Sequence, residues 1–143
     1  MSKITRELTA IRYAFVKMTE DVAVGSRKGE SFKDLVVWQR AMQLSVAVYK
    51  LTSSFPAAEQ FGLTNQLCRA AVSVPSNIAE GYGKATRGEY ILFLGHARGS
   101  IGEVQTQLLI AHEVGFGLKE KMQEALSNEV GRMFVVMIRK LKN

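Results

Sequence analysis

Two carboxylates in this chain, Glu80 and Glu103, stand in polar stripes where acid–base chemistry could be carried out. General acid–base catalysis often uses two carboxylates held at a fixed separation. In the sequence, however, no nucleophile, metal-binding set or orienting histidine accompanies either glutamate. The alternative is a buried polar network, or a subunit contact that fixes the register of helices, and it requires none of these groups. We therefore expect no catalytic residues and no enzymatic activity.

The two polar stripes fall on successive predicted helices. The first has spacings of 3, 4, 4 and 3 and consists of Gln66, Arg69, Ser73, Asn77 and Glu80. The second has spacings of 3 and 4 and consists of Ser100, Glu103 and Gln107. In antiparallel neighbouring helices Arg69 would approach Glu103 and form a charge-assisted hydrogen bond. The predicted structural polar network is Gln66, Arg69, Ser73, Asn77, Glu80, Glu103 and Gln107.

The glycine-rich segment "GYGKATRG" at 81–88 resembles a phosphate-binding loop at first sight. Its lysine follows the second glycine too early for a nucleoside-triphosphate loop, and a helix, not a strand, precedes it. We predict a helix end at Gly81, a turn at Gly83 and a new helix capped by Thr86 and Glu89. Lys84 and Arg87 then flank a helix N-terminus, which attracts anions, although many surface turns carry two basic residues.

The composition limits the classes of site. Cys68 is the only cysteine, and neither His96 nor His112 has a cysteine at ligand spacing, so we expect no disulfide, metal or cofactor. No apolar run is long enough to span a membrane, and a cytoplasmic location is expected. The net charge is +6 with a pI near 9.6. Such a charge indicates either an anionic partner such as nucleic acid or no more than solubility.

Helical periodicity runs through almost the whole chain. Residues 1–30 contain a heptad seam of apolar residues up to position 22, followed by a glycine-containing linker. This arm could pack on the body of the protein, join a partner or lie on RNA. Residues 31–143 contain four helical patterns joined by short links. We predict an all-α fold, an antiparallel up-down four-helix bundle preceded by an N-terminal helical arm, with surplus apolar surface for self-association.

Several phrases in sequential order resemble one known family. They are "FKDLVVWQ", "FPAAEQFGLTNQ", "RAAVSVPSNIAEG" and "FLGHARGSIGEVQTQL", and they extend over about residues 32–115. This region is similar to the 23S ribosomal RNA intervening-sequence proteins, a four-helix-bundle family related to the accessory variability proteins of diversity-generating retroelements. The resemblance implies a homopentamer, no known enzymatic activity, and binding of RNA or of a retroelement reverse transcriptase. It also implies that Arg69, Asn77 and Glu80 occupy the family's polar positions.

Two departures from the family pattern affect the functional prediction. Relatives commonly have two arginines where this chain has Cys68 and Arg69, so one positive charge is missing. This difference weakens a prediction of nucleic-acid binding that rests on this helix. The arm before Phe32 also precedes the usual start of the family.

Two non-enzymatic functions follow, alongside a less favoured enzymatic one based on Glu80 and Glu103. The first is RNA-backbone binding by a cytoplasmic homopentamer, with phosphate contacts from Lys84, Arg87, Arg98, Arg132, Arg139 and Lys140. The second is an accessory scaffold for a retroelement reverse transcriptase, with the N-terminal arm as a docking helix.

Overall fold

A computed structural model describes residues 31–116 and, beyond them, the single residues Arg132, Val135 and Arg139. The described part is helical and contains no strand: α1 is Val36–Thr52, α2 is Leu63–Tyr82 and α3 is Arg87–Glu113. Short 3-10 turns occupy Phe32–Asp34 and Ala57–Glu59. The three single residues are also helical. The predicted N-terminal arm, Lys140 and most of the predicted last helix lie outside the described residues.

Local capping determines where the helices begin and end. Ser31 and Asp34 have the spacing of an N-cap residue and its N3 partner, which predicts the start of a long helix near Ser31. The Ser31 hydroxyl instead accepts from the Lys33 amide and caps the 3-10 turn, and the long helix begins at Val36. The predicted capping box is confirmed: the Thr86 hydroxyl accepts from the Glu89 amide at 3.2 Å, and the Glu89 carboxylate accepts from the Thr86 amide at 3.2 Å. α3 is followed by a turn in which Gly115 has φ of 84°, a conformation that favours glycine.

The core lies around α2, which packs against both α1 and α3. Helical spacing of apolar residues predicts that α2 turns one side inward, and the members of that side are all buried: Leu67, Ala70, Val74 and Ile78. The largest side chains with almost no exposure are Leu44, Leu67, Ile78, Leu94, Ile101 and Leu108. Burying each side chain of this size contributes about 1.5–3 kcal/mol relative to leaving it exposed. Helical spacing of apolar residues therefore accounts for the packing of the three helices.

Buried polar groups on α1 fix its position against α2. The Ser45 hydroxyl lies 2.9 Å from the carbonyl oxygen of Ala71 on α2 and 3.0 Å from that of Ala41 in its own helix. Further along α1, the Thr52 hydroxyl contacts the Cys68 sulfur at 3.4 Å. A change of register between α1 and α2 would break both contacts, and the buried Ala71 carbonyl oxygen would lose the Ser45 hydroxyl at a cost of about 1–3 kcal/mol.

α2 and α3 approach each other closely at Gly81, which is buried inside the last turn of α2. A Cβ atom at this position would lie 2.7 Å from the Phe93 Cβ and 3.0 Å from the Tyr90 Cδ2. The helix does not end at Gly81 as predicted. It continues to Tyr82, and Gly83 is its C-cap. Gly81 serves close helix packing and does not form part of a phosphate-binding loop.

Candidate functional site

A polar pocket of about 370 Å³ lies between α2 and α3. Its lining consists of Asn65, Gln66, Arg69, Ala70, Ser73, Glu103 and Gln107. The pocket thus collects most of the polar network predicted from helical spacing. Asn77 and Glu80, predicted for the same network, do not line it. Asn65 is an addition, because it falls outside the 3-and-4 spacing of the predicted stripe.

Hydroxyl groups join the two helices beside the pocket. Ser73 on α2 and Ser100 on α3 share a hydrogen bond between their side chains. The Ser73 hydroxyl also lies 3.1 Å from the carbonyl oxygen of Ala70, and the Ser100 hydroxyl lies 3.2 Å from that of His96. The Asn77 amide group donates to the Ser73 carbonyl oxygen at 2.8 Å. Of these four hydrogen bonds, the one between Ser73 and Ser100 joins α2 to α3, and the other three lie within a single helix.

The charged members of the network are not paired with one another. Arg69 and Glu103 line the same pocket and are exposed, but no ion pair joins them in the described part of the chain, so the predicted hydrogen bond between them is absent. Glu80 is exposed and lies outside the pocket. The geometry therefore does not bring Glu80 and Glu103 together around one cavity as an acid–base pair.

Gln107 carries the one buried side-chain nitrogen or oxygen atom without a hydrogen-bond partner within the described residues, its Oε1. A buried acceptor without a donor costs about 1–3 kcal/mol. This oxygen has almost no exposed surface, so it would accept a hydrogen bond from a ligand in the pocket only if the side chain moved.

Two basic residues lie at the turn between α2 and α3, as predicted. The Lys84 ammonium sits 4.9 Å from the centroid of the Phe93 ring, in a cation–π contact. Arg87 is the first residue of α3, and both cations are exposed. The Glu89 carboxylate also accepts from the Thr86 hydroxyl at 2.8 Å, so the capping box already occupies part of this helix N-terminus. An anion would here contact the side chains of Lys84 and Arg87 more readily than the backbone amides.

The other predicted phosphate contacts are spread over the surface. Arg98 on α3 is exposed, as are the helical residues Arg132 and Arg139. Lys140 is outside the described residues. Five of the six residues that were predicted to contact phosphates are therefore accessible to solvent. That these residues bind phosphate stays a prediction.

Tyr90 is the titratable group with a resolved shift among the described residues. Burial raises its pKa above the ordinary value of 10.0, and the neighbouring Tyr82 raises it further. The two rings meet edge to face with centroids 6.5 Å apart. Tyr90 thus acts as a neutral packing residue near the α2–α3 turn.

Sequence reasoning missed an uncharged outer face of α3. It is opposite the core and will be called the α3 glycine face; its members are Leu92, Gly95, Gly99, Gly102, Thr106 and Ile110. A Cβ atom added at Gly95, Gly99 or Gly102 would meet no heavy atom within 4 Å. The G-x-x-x-G-x-x-G spacing was visible in the sequence and could have indicated a surface for close helix packing.

Other classes of site find no support in the described part of the chain. Residues 31–116 contain no group of three or more His, Cys, Asp or Glu side chains able to hold a metal ion. None of the described helices combines the length and hydropathy needed to cross a bilayer.

Comparison with known proteins identifies the family. A family model described as 23S rRNA-intervening sequence protein matches residues 33–136. No curated protein matches the chain. A similar fold occurs in the crystal structure of a protein of unknown function from the S23 ribosomal protein family of Bacteroides thetaiotaomicron, with a TM-score of 0.62, 19% identity, and coverage of 75% of this chain and 99% of that one. The chain belongs to the family of 23S rRNA-intervening sequence proteins.

Proposed function

We propose that this protein is a non-enzymatic homo-oligomer that binds the RNA backbone through exposed basic residues. The observation that carries the proposal is the placement of Lys84 and Arg87 together at the α2–α3 turn, both exposed. A chain with net charge +6 attracts a polyanion over long distances, and two adjacent cations provide a local contact for its phosphates. The separation of Glu80 from the Glu103 pocket supports a binding role over acid–base catalysis.

The proposed subunit is an antiparallel four-helix bundle, with the segment after α3 as its fourth helix. α1 and α3 both pack on α2 and have little direct contact with each other, so a further helix can complete the square. The single described residues beyond α3, Arg132, Val135 and Arg139, are helical, which supports this proposal. The proposed assembly is a pentamer, as the family resemblance implies, and its proposed location is the cytoplasm.

The assembly matters to binding because each subunit contributes only a few cations. The proposed phosphate contacts are Lys84, Arg87, Arg98, Arg132, Arg139 and Lys140. One such set binds RNA weakly, but linked copies act with a high effective concentration. Binding should therefore be tolerant of RNA sequence and should depend strongly on salt, because each phosphate contact releases condensed counterions.

Salt-titrated binding of a structured RNA tests this proposal. The variant K84Q/R87Q removes two positive charges from the turn, and A58E/Q60E lowers the net charge equally at two exposed positions between α1 and α2. We expect the first variant to lower the slope of log affinity against log salt by about 0.7–0.9 for each phosphate that the turn no longer binds. The control should change affinity far less. Equal effects of the two variants, or no RNA binding at low salt, would refute the assignment.

A second candidate, an accessory scaffold for a retroelement reverse transcriptase, is favoured by the pocket between α2 and α3. Its lining combines one cation, one carboxylate and several amide side chains, a mixed set that suits the polar surface of a protein more than a polyanion. Capture of a purified reverse transcriptase by wild type but not by Q107L, with unchanged oligomer mass for both, is the expected result for this function. Equal capture by the two proteins would exclude the pocket as the docking site.

A further inference from the structure

The α3 glycine face is energetically unusual for a surface exposed to water. A glycine inside a helix is less favourable than an alanine, and Gly95, Gly99 and Gly102 all lie inside α3. Large apolar residues accompany them: Leu92 is 57% exposed and Ile110 is 47% exposed. No charged residue lies at the centre of this face between Leu92 and Ile110. Such a face suits close contact with a second helix, which would cover the apolar residues and approach the glycines.

A row of exposed apolar side chains on α1 matches this face. It will be called the α1 ridge, and its members are Met42, Val46 and Tyr49, which are 39%, 49% and 55% exposed. Their spacings of 4 and 3 equal the spacings of Gly95, Gly99 and Gly102. A single offset of 53 positions therefore places each ridge side chain opposite one glycine. Large side chains on one helix would enter the gaps that the glycines leave on the other.

The direction of the helices allows this register between two copies of the chain. α1 and α3 run in the same direction within one subunit, because each of the two connections reverses the chain. A rotation axis parallel to the helices keeps all copies pointing the same way. In such an arrangement α1 of one copy runs parallel to α3 of the next copy. The constant offset of 53 positions requires this parallel direction.

Charge supports the same pairing. Between Val36 and Thr52 the only charged side chains are basic, whereas from Gly99 to the end of α3 the only formally charged ones are acidic. Lys50 follows Val46 by one turn, and Glu103 follows Gly99 by one turn. The offset of 53 therefore places Lys50 opposite Glu103. Glu103 also lines the polar pocket, so an approaching α1 would cover the edge of that pocket.

We propose that the α1 ridge of one subunit packs into the α3 glycine face of the next copy of the same chain. The contact joins two different surfaces, so it repeats from subunit to subunit and closes into a ring when the rotation allows. This inference rests on the proposed homo-oligomer and specifies its interface.

Cysteine cross-linking tests the pairing directly. The native Cys68 is 9% exposed and buried in the core, so it should not react in the folded protein. Under mild oxidation, a mixture of the single variants V46C and G99C should give a dimer, whereas either variant alone should not. The double variant V46C/G99C should give a ladder whose largest member contains the number of subunits measured by light scattering. G88C paired with V46C is the control and should give no dimer, because Gly88 lies in the first turn of α3, far from Gly99.

Each outcome separates the interface from the oligomer. A monomer by light scattering overturns both the homo-oligomer and this contact. An oligomer that gives no V46C–G99C product overturns the contact alone. A dimer of G99C with itself indicates a symmetric α3–α3 contact and also overturns the proposal. A cross-link from G99C to I11C within one chain overturns it too, because the N-terminal arm would then cover the face.

Charge exchange provides a second test that does not depend on oxidation. K50E and E103K should each shift the light-scattering mass toward the monomer at low protein concentration, because each places like charges opposite one another. The double variant K50E/E103K should restore the oligomer by at least half. Additive weakening in the double variant would overturn the predicted register, and circular dichroism of each variant checks that the helices remain folded.

Discussion

Replacing Gly81 by alanine sets two opposite effects against each other at the contact between α2 and α3. Helix propensity favours the change, because alanine is about 0.8–1.0 kcal/mol better than glycine inside a helix. Packing opposes it, because the new Cβ would lie 2.7 Å from the Phe93 Cβ and 3.3 Å from the Tyr90 carbonyl oxygen. Neither atom is the end of a flexible side chain, so the helices must separate. Overpacking typically costs about 1–3 kcal/mol, and the rigid neighbours place this case in the upper part of that range, about 2–3 kcal/mol. After the gain in helix propensity, we expect a net loss of about 1–2 kcal/mol.

Urea unfolding followed by circular dichroism measures this loss, with all proteins at one subunit concentration because oligomers gain stability with concentration. G88A is the matched control: an added Cβ there meets no atom within 4 Å, so that variant should be as stable as wild type or slightly more stable. Truncation of the ring in G81A/F93A should not restore stability, because the clash is with a Cβ that alanine retains. Unchanged or increased stability of G81A would refute the close approach of the two helices.

Three further predictions concern hydrogen bonds and one ionisable group. S45A removes the hydroxyl that bonds the Ala71 carbonyl oxygen across α1 and α2, and it should lower the free energy of unfolding in urea by about 1–3 kcal/mol. T86A removes the capping box with Glu89 and should cost about 0.5–2 kcal/mol in the same assay. Because burial raises the pKa of Tyr90 in the folded state, its contribution to stability is present below pH 10 and is lost as pH rises above it; Y90F should reduce this alkaline loss.

Controls distinguish these effects from general sensitivity to substitution. S76A removes an exposed hydroxyl that bonds the Val72 carbonyl oxygen of its own helix, and it should change stability by less than about 0.5 kcal/mol. A decrease in S76A as large as that in S45A would contradict the role of the buried hydroxyl. For the tyrosine, an alkaline loss of equal size in wild type and Y90F would assign the titration to other groups.

Much of the fold follows from apolar periodicity and capping alone. Leu67, Val74 and Ile78 are buried because residues three and four positions apart share one face of a helix, a rule that needs no tertiary information. The start of α3 was predictable because the groups of Thr86 and Glu89 that cap it are three residues apart. The later start of α1 was not predictable from the local sequence. Ser31 caps a 3-10 turn, and the three residues of that turn have the same local pattern as a first helical turn.

The candidate site was predictable as a stripe but not as a set of contacts. Spacing placed Arg69 and Glu103 on facing helices, and both line one pocket. Whether the two charges meet depends on the rotation and separation of the helices, which a single sequence does not define to within an ångström. The unpaired oxygen of Gln107 could not be predicted for the same reason, since burial of one atom depends on packing from several directions.

The order in which the helices pack has a consequence for the kinetics of folding. Each described helix packs chiefly on the helix next to it in the chain, so the contacts that build α1, α2 and α3 close only short loops. Topologies dominated by such local contacts fold in microseconds to milliseconds, whereas association of subunits depends on concentration and is slower. Refolding should therefore show a fast recovery of helical circular dichroism that is independent of concentration. A slower recovery of oligomer mass should follow, with a rate that rises with protein concentration.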